Sequence, residues 1–210
     1  GRHASTRERL PLSEMDRLYE RIFAITGRPR SVLDLACGTG SVSVGMQKLG
    51  YDVIGVDLSA EMLSVAKSKP HDGIEYLCQD MCELDMYGTV DVTICVLDSI
   101  NHLESEEDIL RCFESVSLFS DPDGLFLFDV NTIFKHREIL GENTYVYDLD
   151  DVYCVWQNYY DEETHRVDIN LDIFTESGGV YTRRYEDFSE IALPIDRIKE
   201  LLDRAGFETL

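Results

Sequence analysis

Three aspartates recur at a constant interval of 23 residues, Asp34, Asp57 and Asp80, each at or near the end of an apolar run. Asp98 and Asp129 stand in the same place behind two later runs. One carboxylate at a strand end is ordinary turn chemistry. A row of them borders a single crevice when the strands are parallel, and open α/β sheets hold ligands in that crevice where the strand order reverses. The stretch Asp34-Leu-Ala-Cys-Gly-Thr-Gly40 adds a small-residue turn that leads directly into a helix-like segment. Glycines let backbone approach a ligand closely and a helix N-terminus offers unpaired N–H groups, which is chemistry for a nucleotide-like ligand. Asp57 lies where a carboxylate grips a ribose diol, and it can accept two hydroxyl donors in charge-assisted bonds. In Asp98-Ser-Ile-Asn-His102, His102 supplies a group that titrates near neutrality, suited to a general base or a substrate orienter. Its alternative role is to cap a helix beginning near Leu103.

The elements that must position these residues follow from periodicity. Strands are predicted at 31–36, at 52–57 (Val53, Ile54, Gly55 and Val56 running up to Asp57), at Ile74–Gln79, at Val90–Leu97 and at Leu125–Phe128. Helices are predicted at 40–49, from the N-cap Ser59 to about Lys69, and from the acidic first turn Glu104–Asp108 to about Phe119. The turn Asp121-Pro-Asp-Gly124 launches the fifth strand. This alternation builds a doubly wound, mostly parallel sheet with helices on both faces.

After Asn131 the pattern changes. A short helical piece over 132–140 leads into a period-two stretch over 144–191, in which Val167, Ile169, Leu171 and Ile173 share one face. Asp168, Asn170 and Asp172 share the other. Breaks at Asp161–Thr164 and Ser177–Gly179 make this an antiparallel meander. It reads as an insertion over the ligand end of the sheet, residues 132–191, within a main domain of 1–131 and 192–210. A helix at 194–205 has Pro194 in its first turn and Gly206 just past its end. Phe207–Leu210 reads as the opening of a further strand, so the native chain is expected to continue.

The net charge of −22 argues against a nucleic-acid partner, which needs a basic stripe. The acidity serves solubility, or a field favouring cationic or neutral substrates. Arg7, Arg9, Arg17, Arg21, Arg28 and Arg30 read as a solvated helical face. No apolar run is long enough to span a bilayer, and no secretory leader is visible. Cys78 and Cys82 lack a zinc-site spacing and no second pair follows, so no metal is expected. Cys37, Cys95 and Cys112 read as small core residues of a reduced, cytoplasmic protein.

On Asp34-x-Ala36-x-Gly38-x-Gly40, with the later acids, the sequence resembles the class I S-adenosylmethionine-dependent methyltransferases over roughly residues 30–131. Ala36 stands where that family's first glycine is usual. The resemblance implies a Rossmann-like fold, S-adenosyl-L-methionine as cofactor, and a small-molecule N or O acceptor. It places the methionine tail against Asp34, Ala36, Gly38 and Gly40, the ribose on Asp57, and the adenine against Leu58 and Met62. Asp80 would accept from the adenine amino group, with Met81 giving a backbone contact. Leu97 would line the cofactor's path, and Asp98 and His102 would face the methyl group. Met62 as core filler and Asp80 as a turn cap are the alternatives from the residues themselves.

The insertion resembles the antiparallel lid of small-molecule methyltransferases, amino-sugar N-methyltransferases among them. Trp156, Tyr159, Tyr160, Tyr181 and Tyr185 either close over an acceptor or pack the sheet. Those relatives carry a tyrosine-rich N-terminal segment, whereas Tyr19 is the sole tyrosine before the first strand. Two other readings share this physics. A nicotinamide-dependent oxidoreductase would show Gly-x-Gly-x-x-Gly, but Gly38-Thr-Gly40 is followed by Ser43. A catalytically inactive, cofactor-binding partner subunit would keep the same acids. The oligomeric state is open.

Overall fold

The computed structural model describes Phe23, Ala24 and residues 30–210. Tyr19 and the arginines from Arg7 to Arg28 lie outside the described residues, while Arg30 is exposed. The described chain forms two compact units, one of residues 30–100, Glu107–Asp129 and Lys199–Leu210, the other of Asn101–Glu106 and Val130–Ile198.

The first unit is a five-stranded parallel sheet: β1 (Ser31–Leu35), β2 (Asp52–Asp57), β3 (Glu75–Cys78), β4 (Val90–Cys95) and β5 (Ser120–Phe128). Their order is β3-β2-β1-β4-β5, so the chain winds outward from β1, returns, and winds outward again on the other side. The order reverses between β1 and β4. Val32 to Leu35 are all buried in β1, as a central strand covered on both faces requires. Helices α1 (Ser41–Lys48) and α2 (Ala60–Ser68) provide the first two crossovers. The core seam is Val32, Met46, Val53, Leu63, Ala66, Tyr76, Val92 and Ile94, drawn from both helices and four strands. Ser59 caps α2 as its sequence implies, its hydroxyl accepting from Met62 N–H at 3.2 Å.

Several boundaries depart from the sequence expectation. β1 ends at Leu35 because Ala36 turns to φ 57°, and β4 ends at Cys95 because Leu97 and Asp98 take φ 63° and 56°. Hydrophobicity continues through Leu97, but left-handed backbone cannot extend a ladder. The 121–124 turn falls inside β5: Val90 pairs with Ser120 and Val92 with Leu125, so the turn residues loop out of the ladder. The acidic segment after β4 splits into a 3-10 turn, Ser99–His102, and helix α3, Glu106–Leu118. Phe207–Leu210 forms no strand, and the Phe207 ring packs on Phe126 at 5.6 Å. Cys37, Cys82, Cys95 and Cys112 are buried, and all six cysteines are free.

In the second unit, residues 135–140 form a π-helix, Lys135–Leu140, closed by Gly141 N–H donating to His136 O. Four antiparallel strands follow in sequential order: β6 (Thr144–Leu149), β7 (Val152–Asp161), β8 (Arg166–Ser177) and β9 (Val180–Ile191). Val167, Ile169 and Leu140 form its core, with Tyr145, Trp156, Tyr160, Leu171 and Phe188 packed against them. Trp156 and Tyr160 are therefore packing residues, while Tyr159, Tyr181 and Tyr185 are exposed. Helix α4 (Ile195–Arg204) follows Pro194, whose carbonyl accepts from Ile198 N–H.

At the amino end of the parallel sheet one carboxylate sets the register of β1 on β4. Asp91 Oδ2 accepts from Arg30 N–H, Ser31 N–H and Ser31 Oγ at 2.8, 2.8 and 2.9 Å, which holds its carboxyl below the usual range. A carboxyl depressed in the folded state stabilises above its unfolded pKa, and that contribution disappears as pH falls through the folded one. Asp91→Ala is expected to cost roughly 1–2 kcal/mol at neutral pH, the partial exposure of the site limiting the loss. Urea unfolding at pH 7 and near pH 3 checks this: an equal deficit at both would contradict it.

Candidate active site

The carboxyl ends of β1, β2 and β4 bring the predicted acids and glycines together. Ala36 at φ 57° and Gly38 at φ 55° carry the chain out of β1, and Gly40 at φ 70° precedes α1. A Cβ on Gly38 would meet no heavy atom within 4 Å, so the backbone there borders open space. Gly40 is different. A Cβ there would run into Tyr76 Oη and come within 2.9 Å of Ala66 Cβ. Its bareness serves the packing of β3 and α2 against the turn, a correction to the expectation that both glycines clear room for a ligand.

Asp57 ties the crevice together. Its Oδ2 accepts from Gly38 N–H at 2.7 Å and its Oδ1 from Ser59 N–H at 2.8 Å. Each carboxylate oxygen has two acceptor directions, and one on each is spent on backbone. The other two can serve a pair of adjacent hydroxyls. Lys69, which sequence reasoning missed, donates to Thr39 Oγ1 and Ser41 Oγ at 3.1 and 2.6 Å and braces the glycine turn from the end of α2.

Asp34 is 1% exposed inside β1. Ser43 Oγ, on the buried face of α1, donates to its Oδ2 at 2.5 Å. Burial pushes the Asp34 carboxyl up to about 7, with Ser43 opposing the shift and Asp57 adding to it. Burial likewise pushes Cys37 up to about 12, which leaves it an unreactive thiol.

The remaining predicted residues divide. Leu58 is 71% exposed and Met62 47%, which removes the core-filler reading of Met62. Leu97, 48% exposed, also presents an apolar side chain at this edge. Asp80 has one oxygen committed to the turn after β3, Oδ1 accepting from Cys82 N–H at 2.8 Å, and Met81 beside it is half-buried. Asp98 N–H donates to Asp129 Oδ2 at 3.2 Å, and desolvation raises the Asp129 carboxyl.

His102 is exposed, ends the 3-10 turn, and lies four residues before α3 rather than at its start. Its ring sits 5.2 Å from that of Phe188. The residue before it is clamped: Asn101 Nδ2 donates to Asn131 O and Ile191 O at 3.0 and 2.7 Å, and its Oδ1 accepts from Asn131 N–H at 2.7 Å. Asn131 Nδ2 in turn donates to Glu190 Oε2 at 2.6 Å, and His136 Nε2 lies 3.1 Å from the same oxygen. Burial pushes Glu190 up, but the bonds from His136 and Asn131 outweigh it and hold the carboxyl below its usual value.

The raised Asp34 carboxyl has a measurable sign. A folded-state pKa above the unfolded value contributes most below about pH 4, and the contribution is lost as pH rises through about 7. Asp34→Asn should gain stability relative to the parent as pH rises from 5 to 8, by up to about 2.5 kcal/mol. Urea titrations at both values measure it, and a pH-independent difference would contradict the burial argument.

Three comparisons bear on this geometry. A methyltransferase-domain family model matches residues 32–124, the segment from β1 to the β5 turn. A Bacillus subtilis (strain 168) protein, YqeM, whose name assigns it to the methyltransferases, is 34% identical over 180 residues, 84% of this chain and 73% of that one. The structure of an S-adenosylmethionine-dependent methyltransferase from Clostridium acetobutylicum ATCC 824 superposes with a TM-score of 0.86 at 28% identity, covering 95% of this chain and 82% of that one. At 16% identity, S-adenosylmethionine-bound CalS10, an amino pentose methyltransferase from Micromonospora echinaspora, shares the fold with a TM-score of 0.77 over 92% of this chain and 82% of its own. These matches set aside the nicotinamide reading, and the chain belongs to the class I S-adenosylmethionine-dependent methyltransferases.

Proposed function

We propose that this chain transfers a methyl group to a nitrogen or oxygen of a small molecule. The observation that carries the reading is Asp57, braced by two backbone N–H groups with one acceptor direction spare on each oxygen, beside the open backbone of Gly38. When bound, S-adenosylmethionine supplies a methyl on an already activated sulfonium. Asp57 holds the ribose hydroxyls, and Leu58 and Met62 cover the adenine with apolar surface that is otherwise exposed. Asp34 receives the cationic tail, with Ala36, Gly38 and Gly40 shaping the turn beneath it. Asp80 and Met81 take the adenine edge, and Leu97 bounds the cofactor's path. Asp98 and His102 act on the acceptor: His102 orients it and takes its proton when the attacking atom must lose one. Methyl transfer needs alignment and exclusion of water as much as a base. The amino pentose acceptor of CalS10 supports a small acceptor. The free cysteines support a cytoplasmic setting.

Asp57→Ala should weaken S-adenosylhomocysteine binding by roughly 1.5–3 kcal/mol through loss of charge-assisted bonds. Calorimetry showing unchanged affinity would remove the assignment. A panel of amino sugars, small amines and phenols with methyl-labelled S-adenosylmethionine tests the acceptor class. Label transferred to one of them supports the proposal, whereas cofactor binding without transfer to any would favour the inactive-partner reading. With the acceptor so found, His102→Ala should lower turnover while leaving cofactor affinity intact, and normal turnover would make His102 structural.

A further inference from the structure

β9 is the last strand of the antiparallel sheet, and among the described residues no strand pairs with its outer edge. Its register on β8 runs unbroken from Ser177↔Val180 to Arg166↔Ile191. The side chains from Val180 to Asp187 are all exposed. Natural edges are usually shortened, bulged or interrupted by proline; this one is long, regular and free of proline.

Its sequence carries a charge palindrome. Arg183-Arg184-Tyr185-Glu186-Asp187 reads base, base, tyrosine, acid, acid. In an antiparallel pair of identical strands centred on Tyr185, Arg183 of one copy faces Asp187 of the other and Arg184 faces Glu186. Both matches occur twice, giving four ion pairs about a Tyr185–Tyr185 contact. Alternation puts Arg183, Tyr185 and Asp187 on one face of the sheet and Arg184 and Glu186 on the other, so each face is complementary by itself. Sliding the register by one residue either way leaves two of the four pairs, so charge selects the alignment.

Arg183 pairs with Asp172 Oδ1 on β8 through Nε and Nη2 at 2.7 and 2.6 Å and lies over the Phe174 ring at 5.9 Å, leaving further N–H donors on its guanidinium. Tyr185 Oη donates to Asn170 Oδ1 at 2.6 Å. Residues 144–191 contain three arginines and no lysine, and two of those arginines stand together here. In a chain of net charge −22, like charge in general opposes self-association, so a locally balanced strand stands out.

We propose that β9 pairs antiparallel with β9 of a second copy about Tyr185, joining two four-stranded sheets into one of eight strands.

The test uses the full chain in analytical ultracentrifugation, with circular dichroism confirming that each exposed-residue variant is folded. The parent is expected to sediment at twice the monomer mass. Arg183→Glu/Arg184→Glu makes the strand wholly acidic and Glu186→Arg/Asp187→Arg makes it wholly basic. Each should weaken self-association by at least about tenfold. Mixing the two variants in equal amounts should restore a dimer, because each acidic strand then meets a basic one. A parent that remains monomeric at its highest soluble concentration would overturn the proposal. So would variants that dimerise as the parent does, or a mixture that stays monomeric.

Discussion

The crevice depends on two short hydrogen bonds to one carboxylate. Asp57 ends β2, yet its oxygens are occupied by N–H groups from Gly38, beyond β1, and Ser59, at the start of α2. Each such bond to a charged acceptor contributes on the order of 1.5–3 kcal/mol. Together they offset much of the conformational freedom of the turn from Ala36 to Gly40, at about 1–2 kcal/mol per residue fixed. The glycine turn, the end of β2 and the first turn of α2 are therefore tied to one another through a single carboxylate. Without that brace, a bare turn at positive φ would have many conformations and only a few able to meet a ligand.

Because the sheet is parallel, the same end of every strand carries these loops. The row of aspartates is thus a consequence of topology as well as of chemistry. β1 and β4 are paired neighbours on either side of the order reversal, and the turns that follow them both leave the sheet through left-handed backbone. Such residues are costly for side chains other than glycine and persist where surrounding structure fixes them. Ala36 stands on one side of the reversal and Leu97 with Asp98 on the other, so both strands are cut off there by backbone that cannot continue a ladder.

Most of this was legible in the sequence because it was local. Apolar runs, the Ser59 cap and the 23-residue spacing of the acids each lie within one element or one crossover. What escaped was non-local or conformational. Ser43 looks like an ordinary polar residue on α1 until Asp34 is brought to its hydroxyl. Asn101, Asn131 and Glu190 are separated by 30 and 59 residues, and no periodicity links them. The end of β4 was misplaced because hydrophobicity says nothing about the sign of φ. Gly40 was assigned to ligand clearance when its real neighbour, Tyr76, comes from β3.

Asp34 and Glu190 show how far local donors, rather than burial alone, decide the state of an interior acid. Both are nearly inaccessible, at 1% and 5% exposure, and burial raises both. Asp34 receives its donors from Ser43 alone, which is too little to offset desolvation, and its carboxyl rises to about 7. Glu190 receives an amide N–H at 2.6 Å and an imidazole nitrogen at 3.1 Å, and its carboxyl falls. The donors around Glu190 outweigh its burial, which suits an anchor for the turn bearing His102. Those around Asp34 do not. A buried acid with so few donors is stabilised most by an incoming positive charge.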